Sequence, residues 1–385
     1  MKHPWSSQRF REGARAEGRS EGVIAAAEAA ADAIKRTNPD LPVILTLGHL
    51  AHLAGVPIEA LQIVAFRKED SYRVFRVKKR GTPNGVAAPP RRYRTICVPR
   101  RDLMRAQRWI AQNILNAVPP HPVSYAFAPG RDLVGATKRH VEAKWLVKMD
   151  VRHFFESIPE QRVYRVFRTL GYGALLSFQM ARVCTRLPHH QTSDVRLQKG
   201  RGDTGLPYRR HRQGHLPQGA PTSPMLANLV MWPLDRRIDT LAARGGWTYT
   251  RYADDLAFSR RNASTRGEAM HLAKAVEHEL VQFGLINNRD KTTIVPPGAR
   301  KVLLGVLVDR ERPRLTREFR NNVETHLFAL ASPKIGPTAH KAKRGFASTI
   351  GMRRHIEGLI AFAHQVDEDY GATLYRRLNA VDWDR

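Results

Sequence analysis

Residues 247–259 read WTYTRYADDLAFS and place two adjacent aspartates between apolar runs. Residues 247–252 and 256–259 read as two apolar β-strands, and the Ala-Asp-Asp between them leaves room only for a tight hairpin turn. Asp254 and Asp255 therefore lie beside buried β-structure. An ionised carboxylate in that position is costly unless something compensates its charge.

A second apolar run ends on a third carboxylate. Residues 144–151 read KWLVKMDV, which predicts a short buried strand with Asp150 at its end. Mg²⁺ compensates such carboxylates, and it combines one or two of them with substrate phosphates. One aspartate from a strand end and two from a neighbouring hairpin would hold two metal ions about 3.5–4 Å apart, the clamp for in-line phosphoryl transfer. The alternative is an ordinary polar hairpin turn.

The charge of the chain indicates a polyanionic partner. Its 385 residues include 64 Lys and Arg against 35 Asp and Glu, a formal net charge of +29, which favours nucleic acid or an anionic membrane face. The longest uncharged run, 41–58, contains prolines and histidines, so no membrane span is expected. The polar N-terminus predicts no secretory signal. Two cysteines, Cys97 and Cys184, predict neither a disulfide framework nor a zinc site and suit a reducing cytoplasm.

Local patterns predict further elements. Helices are expected over 23–36 and 102–117, and residues 72–98 read as two short strands around a Gly- and Pro-rich turn at 81–90. The best helix pattern covers 265–283, where a Thr-x-x-Glu capping box starts the helix and a glycine ends it.

The C-terminal part combines one strand pattern with basic helices. Residues 301–308 read KVLLGVLV and predict another buried strand. Beyond residue 312 the chain becomes helical and basic, with one apolar register of five residues: Leu315, Phe319, Val323, Leu327 and Leu330.

A polar stretch of 28 residues, 188–215, interrupts the apolar patterns, and a loop of that length is usually functional or mobile. It contains four histidines: His189, His190, His211 and His215. No cysteine joins them and their spacing fits no common zinc pattern, so a nucleic-acid contact or a mobile loop is favoured over a zinc site.

Three segments resemble the motifs of reverse transcriptases, in the order that the family has them. Residues 148–155 (KMDVRHFF) resemble the first catalytic motif, residues 216–224 (LPQGAPTSP) the LPQGxPxSP box, and residues 252–255 (YADD) the Y-x-D-D box. Over residues 45–385 the chain is most similar to bacterial retron-type reverse transcriptases. Four further segments carry that likeness: 94–107, 127–131 (FAPGR), 284–292 (GLINNRDKT) and 378–383 (LNAVDW).

The resemblance implies an α+β fold, the right-hand polymerase. An N-terminal extension with helices would cover 1–58, and fingers would cover 59–143. A palm with a small antiparallel sheet would cover 144–312, including the basic loop 188–215. A helical thumb would cover 313–385.

The resemblance also implies a role for each motif residue. Asp150, Asp254 and Asp255 would be the metal ligands, with the Val151 carbonyl as a further oxygen. Phe155 would lie under the sugar and exclude a ribose 2′-OH, with plain core packing as the alternative. The other nucleotide contacts would be Arg94 on the triphosphate, Gln218 and Gly219 in the pocket wall, and Lys291 as proton donor to pyrophosphate. A solvated position is the alternative for Arg94 and Lys291.

The implied activity is RNA-directed DNA polymerisation with dNTPs and two Mg²⁺ ions, Mn²⁺ being the alternative metal. A retron-type enzyme would bind a structured non-coding RNA as template and primer. It would start from a 2′-OH and leave a branched RNA–DNA hybrid (msDNA), within an anti-phage system that has a separate effector protein. Two alternatives are another bacterial class, group II intron-like or abortive-infection, and a non-catalytic RNA-binding protein on a polymerase scaffold.

Overall fold

Helices joined by short antiparallel sheets make up the computed structural model, which describes residues 5–78, 93–188 and 213–383. The helices are α1 (Ser7–Ala16), α2 (Glu21–Thr37), α3 (Leu47–Ala54), α4 (Ile58–Ala65), α5 (Arg101–Asn113), α6 (Leu133–Lys138), α7 (Glu160–Thr169), α8 (Ala174–Cys184), α9 (Ser223–Arg244), α10 (Arg266–Gln282), α11 (Arg317–Ala331), α12 (Gly336–Arg344), α13 (Thr349–Val366) and α14 (Glu368–Asn379). The strands are β1 (Tyr72–Lys78), β2 (Tyr93–Pro99), β3 (Trp145–Asp150), β4 (Thr248–Tyr252), β5 (Asp255–Arg260), β6 (Thr293–Val295), β7 (Val302–Leu303), β8 (Val306–Leu307) and β9 (Arg314–Leu315).

The central sheet contains both predicted acidic elements. Its four strands lie in the order β4-β5-β3-β6, and every neighbouring pair is antiparallel. Strand β3 lies between two others and is buried on both faces, which explains why its sequence is a continuous apolar run and not an alternating one. The predicted strand at 144–151 and the predicted hairpin at 247–259 are confirmed.

Helices α9 and α10 pack on this sheet, α9 against β4 and α10 against β3 and β6. Helix α10 confirms the pattern at 265–283. Its capping box is formed in both directions by Thr265 and Glu268, and Gly284 follows the last turn in the left-handed region at φ +72°. One continuous apolar core joins these helices to α2–α5, α7 and α8.

The N-terminal half agrees with its predicted elements. The helix expected at 23–36 is α2, and the one expected at 102–117 is α5 followed by a 3₁₀ turn over Leu115–Ala117. Strands β1 and β2 pair antiparallel, while the turn predicted at 81–90 lies outside the described residues. Cys97 and Cys184 are both buried and free, as expected.

Two predictions about the C-terminal part are wrong. Residues 301–308 form a hairpin of two short strands, β7 and β8, and not one strand. The reason is the turn between them, where Leu304 and Gly305 both take positive φ, +48° and +87°. Leu315 also does not belong to the helix that follows it, because it pairs within β9 and α11 begins two residues later.

Helices α11–α14 have an apolar core of their own, built around residues such as Val323, Ile356 and Leu374. A smaller cluster joins them to the central sheet, with Phe362 and Val366 of α13 packed near Leu146 and Ala257. Among the described residues, no helix is both long enough and apolar enough to span a lipid bilayer.

Candidate active site

The three aspartates predicted to act together meet at one end of the central sheet. Asp150 is the last residue of β3 and pairs in register with Asp255, the first residue of β5. Side chains directly opposite each other on antiparallel strands point to the same face and lie about 4.5–5.5 Å apart at Cβ. Asp254 belongs to the two-residue turn before β5, and its carbonyl accepts a hydrogen bond of 2.9 Å from the Val151 amide.

The Asp150 side chain is almost completely buried, and two side chains from the segment after α10 compensate it. Lys291 Nζ donates to Oδ1 at 2.5 Å, and Asn288 Nδ2 donates to Oδ2 at 2.8 Å. The Asn288 amide also donates to the Asp150 carbonyl at 2.7 Å. Charge-assisted hydrogen bonds of this kind allow a carboxylate to stay ionised in a buried position. Asn288 was not among the predicted site residues, although it lies inside the family-like segment 284–292.

The surroundings of Asp254 and Asp255 disfavour the ionised form of both carboxyl groups. Desolvation, together with the charges of Asp254 and Asp150, raises the pKa of Asp255 to about 6, although its side chain still reaches solvent. Desolvation and the Asp150 charge also raise the pKa of Asp254, while Lys291 and Arg94 act in the opposite direction. The site therefore concentrates negative charge that a bound cation would relieve.

These groups fit a hard divalent cation by their chemistry. Within the ranges described, no three His, Cys, Asp or Glu side chains already converge as a complete metal cage. Mg²⁺ does not require one, because it commonly takes one or two protein carboxylates and completes its shell with water and substrate phosphates.

Of the predicted nucleotide contacts, Gln218 and Gly219 lie against strand β2, which also carries Arg94. The Gln218 carbonyl accepts a hydrogen bond of 2.8 Å from the Cys97 amide, which fixes its turn to β2. Gly219 has φ +107°, and a Cβ there would lie 2.9 Å from Ile96 Cγ2. This glycine is therefore required by the close approach of β2, whatever its role toward substrate. Arg94 shares a face of β2 with Ile96, and its effect on the Asp254 pKa places its charge near the carboxylates.

Comparison with known proteins identifies the family of this chain. The family model for reverse transcriptase (RNA-dependent DNA polymerase) matches residues 77–308. Retron Ec86 reverse transcriptase of Escherichia coli is 27% identical over 335 residues, covering 87% of this chain and 93% of that protein. Retron Mx65 reverse transcriptase of Myxococcus xanthus is 30% identical over 348 residues, covering 88% and 72%.

The chain belongs to the retron-type reverse transcriptases. Membership of this family makes it an RNA-directed DNA polymerase. Retron Mx162 reverse transcriptase of Myxococcus xanthus is also similar, at 28% identity over 352 residues, 86% of this chain and 66% of that protein. The bacterial class indicated by the sequence is thereby confirmed, and the other classes find no support among these relatives.

In this reverse transcriptase the two aromatic residues after Asp150 differ in environment. Phe154 is buried in the main core, while Phe155 is half-buried, with its ring centroid 5.4 Å from that of Phe154. Val151 follows β3 directly with a buried side chain, and it bridges to Asn287. Phe155 is therefore the one of the pair with surface left for a ligand.

Two of the histidines within the described residues are close to the site's supporting elements. His140 is buried and lies within 2.7 Å of both Ser259 Oγ and Thr250 Oγ1, so it links strands β4 and β5 of the hairpin. Burial lowers its pKa to about 3 and keeps it neutral. Of the four loop histidines only His215 lies within the described residues, where it is largely buried and contacts the Leu216 carbonyl at 3.0 Å.

The raised pKa of Asp255 predicts that this carboxylate destabilises the metal-free fold at neutral pH. The folded protein keeps the proton up to about pH 6, whereas the unfolded chain releases it near the ordinary value of about 3.9, so stability falls as pH rises through that window. We expect Asp255→Asn to raise Tm at pH 7.5 in EDTA and to leave it nearly unchanged at pH 4.

Thermal denaturation at both pH values measures this effect. Asp290→Asn is the matched control, because Asp290 is largely exposed and pairs only loosely with Arg152, at 3.9 Å. Equal Tm values for wild type and Asp255→Asn at pH 7.5 would contradict the electrostatic account of the site.

Proposed function

We propose that Asp150, Asp254 and Asp255 hold two Mg²⁺ ions for nucleotidyl transfer from dNTPs to a primer on an RNA template. The register that pairs Asp150 with Asp255, with Asp254 in the adjoining turn, carries this proposal. The Val151 carbonyl would supply a further oxygen. When bound, the ions lower the pKa of the attacking hydroxyl and neutralise charge on the leaving pyrophosphate.

In the proposed reaction the primer hydroxyl oxygen attacks the α-phosphorus of the dNTP. A new O–P bond forms while the bond to the β-phosphate breaks, so a proton leaves the hydroxyl and pyrophosphate departs. Lys291 would donate a proton to that pyrophosphate. Burial lowers the pKa of Lys291, but its hydrogen bond to Asp150 and the charges of the aspartates outweigh this, so the pKa is raised and the ammonium is protonated at neutral pH.

The remaining predicted contacts surround the nucleotide in this proposal. Arg94 would grip the triphosphate, since guanidinium binds phosphate oxygens in a bidentate manner. Gln218 and Gly219 would form the pocket wall, supported by their attachment to β2. Phe155 would fill the space that a ribose 2′-OH needs. Its half-buried ring, five residues after Asp150, supports this role.

We assign the parts of the fold to the polymerase hand on the same basis. Residues 59–143, with the β1–β2 ribbon, would be the fingers, and residues 144–312, with the central sheet, the palm. Residues 313–385 would be the thumb, supported by their separate apolar core. Residues 1–58 would be an N-terminal extension, whose helices α2 and α3 contribute to the main apolar core.

The template and primer in this proposal are a structured non-coding RNA, and the product is a DNA branched from its 2′-OH. The net charge of +29 supports a nucleic-acid partner, and the relatives described above are retron reverse transcriptases. An anti-phage role with a separate effector protein belongs to the proposal as its biological setting.

Removing one turn carboxylate tests the metal assignment. We expect Asp254→Asn to reduce dNTP incorporation on a primed RNA template by at least about 10²-fold, because several kcal/mol of charge stabilisation is lost. RNA binding should stay within twofold, since these carboxylates do not contact template phosphates. Primer extension and filter binding measure the two effects. Asp290→Asn serves as control, and near-normal extension by Asp254→Asn would refute the assignment.

A smaller side chain at position 155 tests whether Phe155 excludes ribonucleotides. We expect Phe155→Val to incorporate ribonucleotides more readily, by roughly 10-fold or more relative to dNTPs, because about 1.4 kcal/mol of steric discrimination is removed. Single-nucleotide extension with paired dNTP and rNTP gives the ratio. Phe154→Leu is the matched control, since it alters the buried neighbour and leaves that space closed. An active Phe155→Val enzyme with unchanged discrimination would remove Phe155 from this role.

Selection of one RNA requires more than charge, because phosphate contacts attract all polyanions alike. We expect the thumb to supply it. Replacing residues 313–385 by the corresponding segment of Retron Mx65 reverse transcriptase should switch which non-coding RNA primes synthesis, while extension of a generic primed template is retained. Branched-product formation with both RNAs is the measurement. A chimera that extends the generic template and still uses only the original RNA would place recognition in the first 60 residues or in 188–215.

A further inference from the structure

Arg251 is a fully buried cation directly behind the aspartate turn. It lies in β4, two residues before Ala253, and its side chain is 0% exposed. Asp235 of α9, equally buried, accepts from Nη2 at 2.7 Å and from Nε at 2.9 Å. Removing two charges from water costs several kcal/mol each, so such a pair is seldom explained by stability alone.

All five N–H donors of the guanidinium find acceptors. Besides the two directed at Asp235, Nη1 donates to Asn228 Oδ1 at 2.9 Å and to the Ala253 carbonyl at 3.2 Å, and Nη2 donates to Ser124 Oγ at 3.0 Å. Arg251 thereby joins helix α9, the segment before α6 and the aspartate turn through one rigid planar group.

The contact with Ala253 matters because the turn is strained. Ala253 has φ +57°, the left-handed region that costs a residue with a Cβ about 1 kcal/mol or more. Its carbonyl is held by Arg251, and the next carbonyl, of Asp254, is held by the Val151 amide at 2.9 Å. These two contacts set the orientation of both peptide planes that flank Asp254.

We propose that Arg251, held by Asp235, is a positioning residue that fixes the Ala253-Asp254 turn for cation binding. The inference rests on the proposed function, in which Asp254 and Asp255 are metal ligands. Lysine cannot replace Arg251, because a single ammonium with three donors does not reach Asp235, Asn228 and the Ala253 carbonyl together.

Direct Mn²⁺ binding to the nucleic-acid-free full chain, followed by electron paramagnetic resonance, tests this. We expect Arg251→Lys to weaken Mn²⁺ binding by at least about 10-fold, while the KM for primed template changes less than twofold. Extension activity should fall at low Mg²⁺ and recover in part when Mg²⁺ is raised. Wild-type Mn²⁺ affinity in folded Arg251→Lys protein would overturn the proposal.

Two variants separate positioning from loss of stability. Thr185→Val removes a buried hydroxyl that contacts Glu160 at 3.0 Å in a different cluster, and we expect it to lower Tm and leave Mn²⁺ affinity unchanged. If Arg251→Lys does not fold, Arg251→Met combined with Asp235→Leu removes both buried charges, which proteins often tolerate. That double variant should fold and bind Mn²⁺ weakly, and wild-type affinity in it would also overturn the proposal.

Asp254→Asn distinguishes failure of this inference from failure of the proposed function. Weakened Mn²⁺ binding by Asp254→Asn confirms that the turn is the metal site, and the Arg251 variants then decide the positioning role. Unchanged Mn²⁺ binding by both Asp254→Asn and Arg251→Lys would overturn the metal assignment and the positioning role together.

Discussion

Repulsion among three carboxylates at one end of a sheet is the constraint on which the rest of this structure depends. Asp150 and Asp255 are paired across two strands and Asp254 adjoins them, so desolvation together with the neighbouring carboxylate charges raises the pKa of both Asp254 and Asp255. In the free protein Lys291 and Asn288 compensate Asp150, but the turn carboxylates have no comparable partners among the hydrogen bonds described. Under the proposed function, this cost in stability keeps the carboxylates together where a cation would bind.

Several separate parts of the chain contact the aspartates or the elements that carry them. The segment after α10 supplies Lys291 and Asn288, strand β2 brings Arg94 and anchors the Gln218 turn, and Arg251 supports the hairpin from beneath. Asp150, Arg94 and Arg251 lie on strands, and Lys291 ends a short 3₁₀ helix, so much of the site is carried by regular backbone. Such support keeps reacting groups in place without reorganisation at each turnover.

Elements that depend on local chemistry could be predicted from the sequence alone. The capping box of α10 involves only Thr265 and Glu268, three residues apart, and the structure contains it as expected. The prediction of one strand over 301–308 was wrong because its outcome depended on pairing with a segment beyond those residues. Its apolar run is compatible with one strand or two, and the choice was made by a turn at Leu304 and Gly305 that pairs β8 with β9.

The sequence by itself determined the family, the grouping of the three aspartates and the strands that carry them. Motif residues and apolar runs occupy contiguous segments, so they can be recognised without the fold. Only the tertiary structure decided what surrounds them. Asn288 and Lys291 lie 138 and 141 positions from Asp150, and Arg251 reaches Ser124 across 127 positions. No local pattern encodes such contacts, since they arise when packing of the core brings distant segments together and every buried polar group must find a partner.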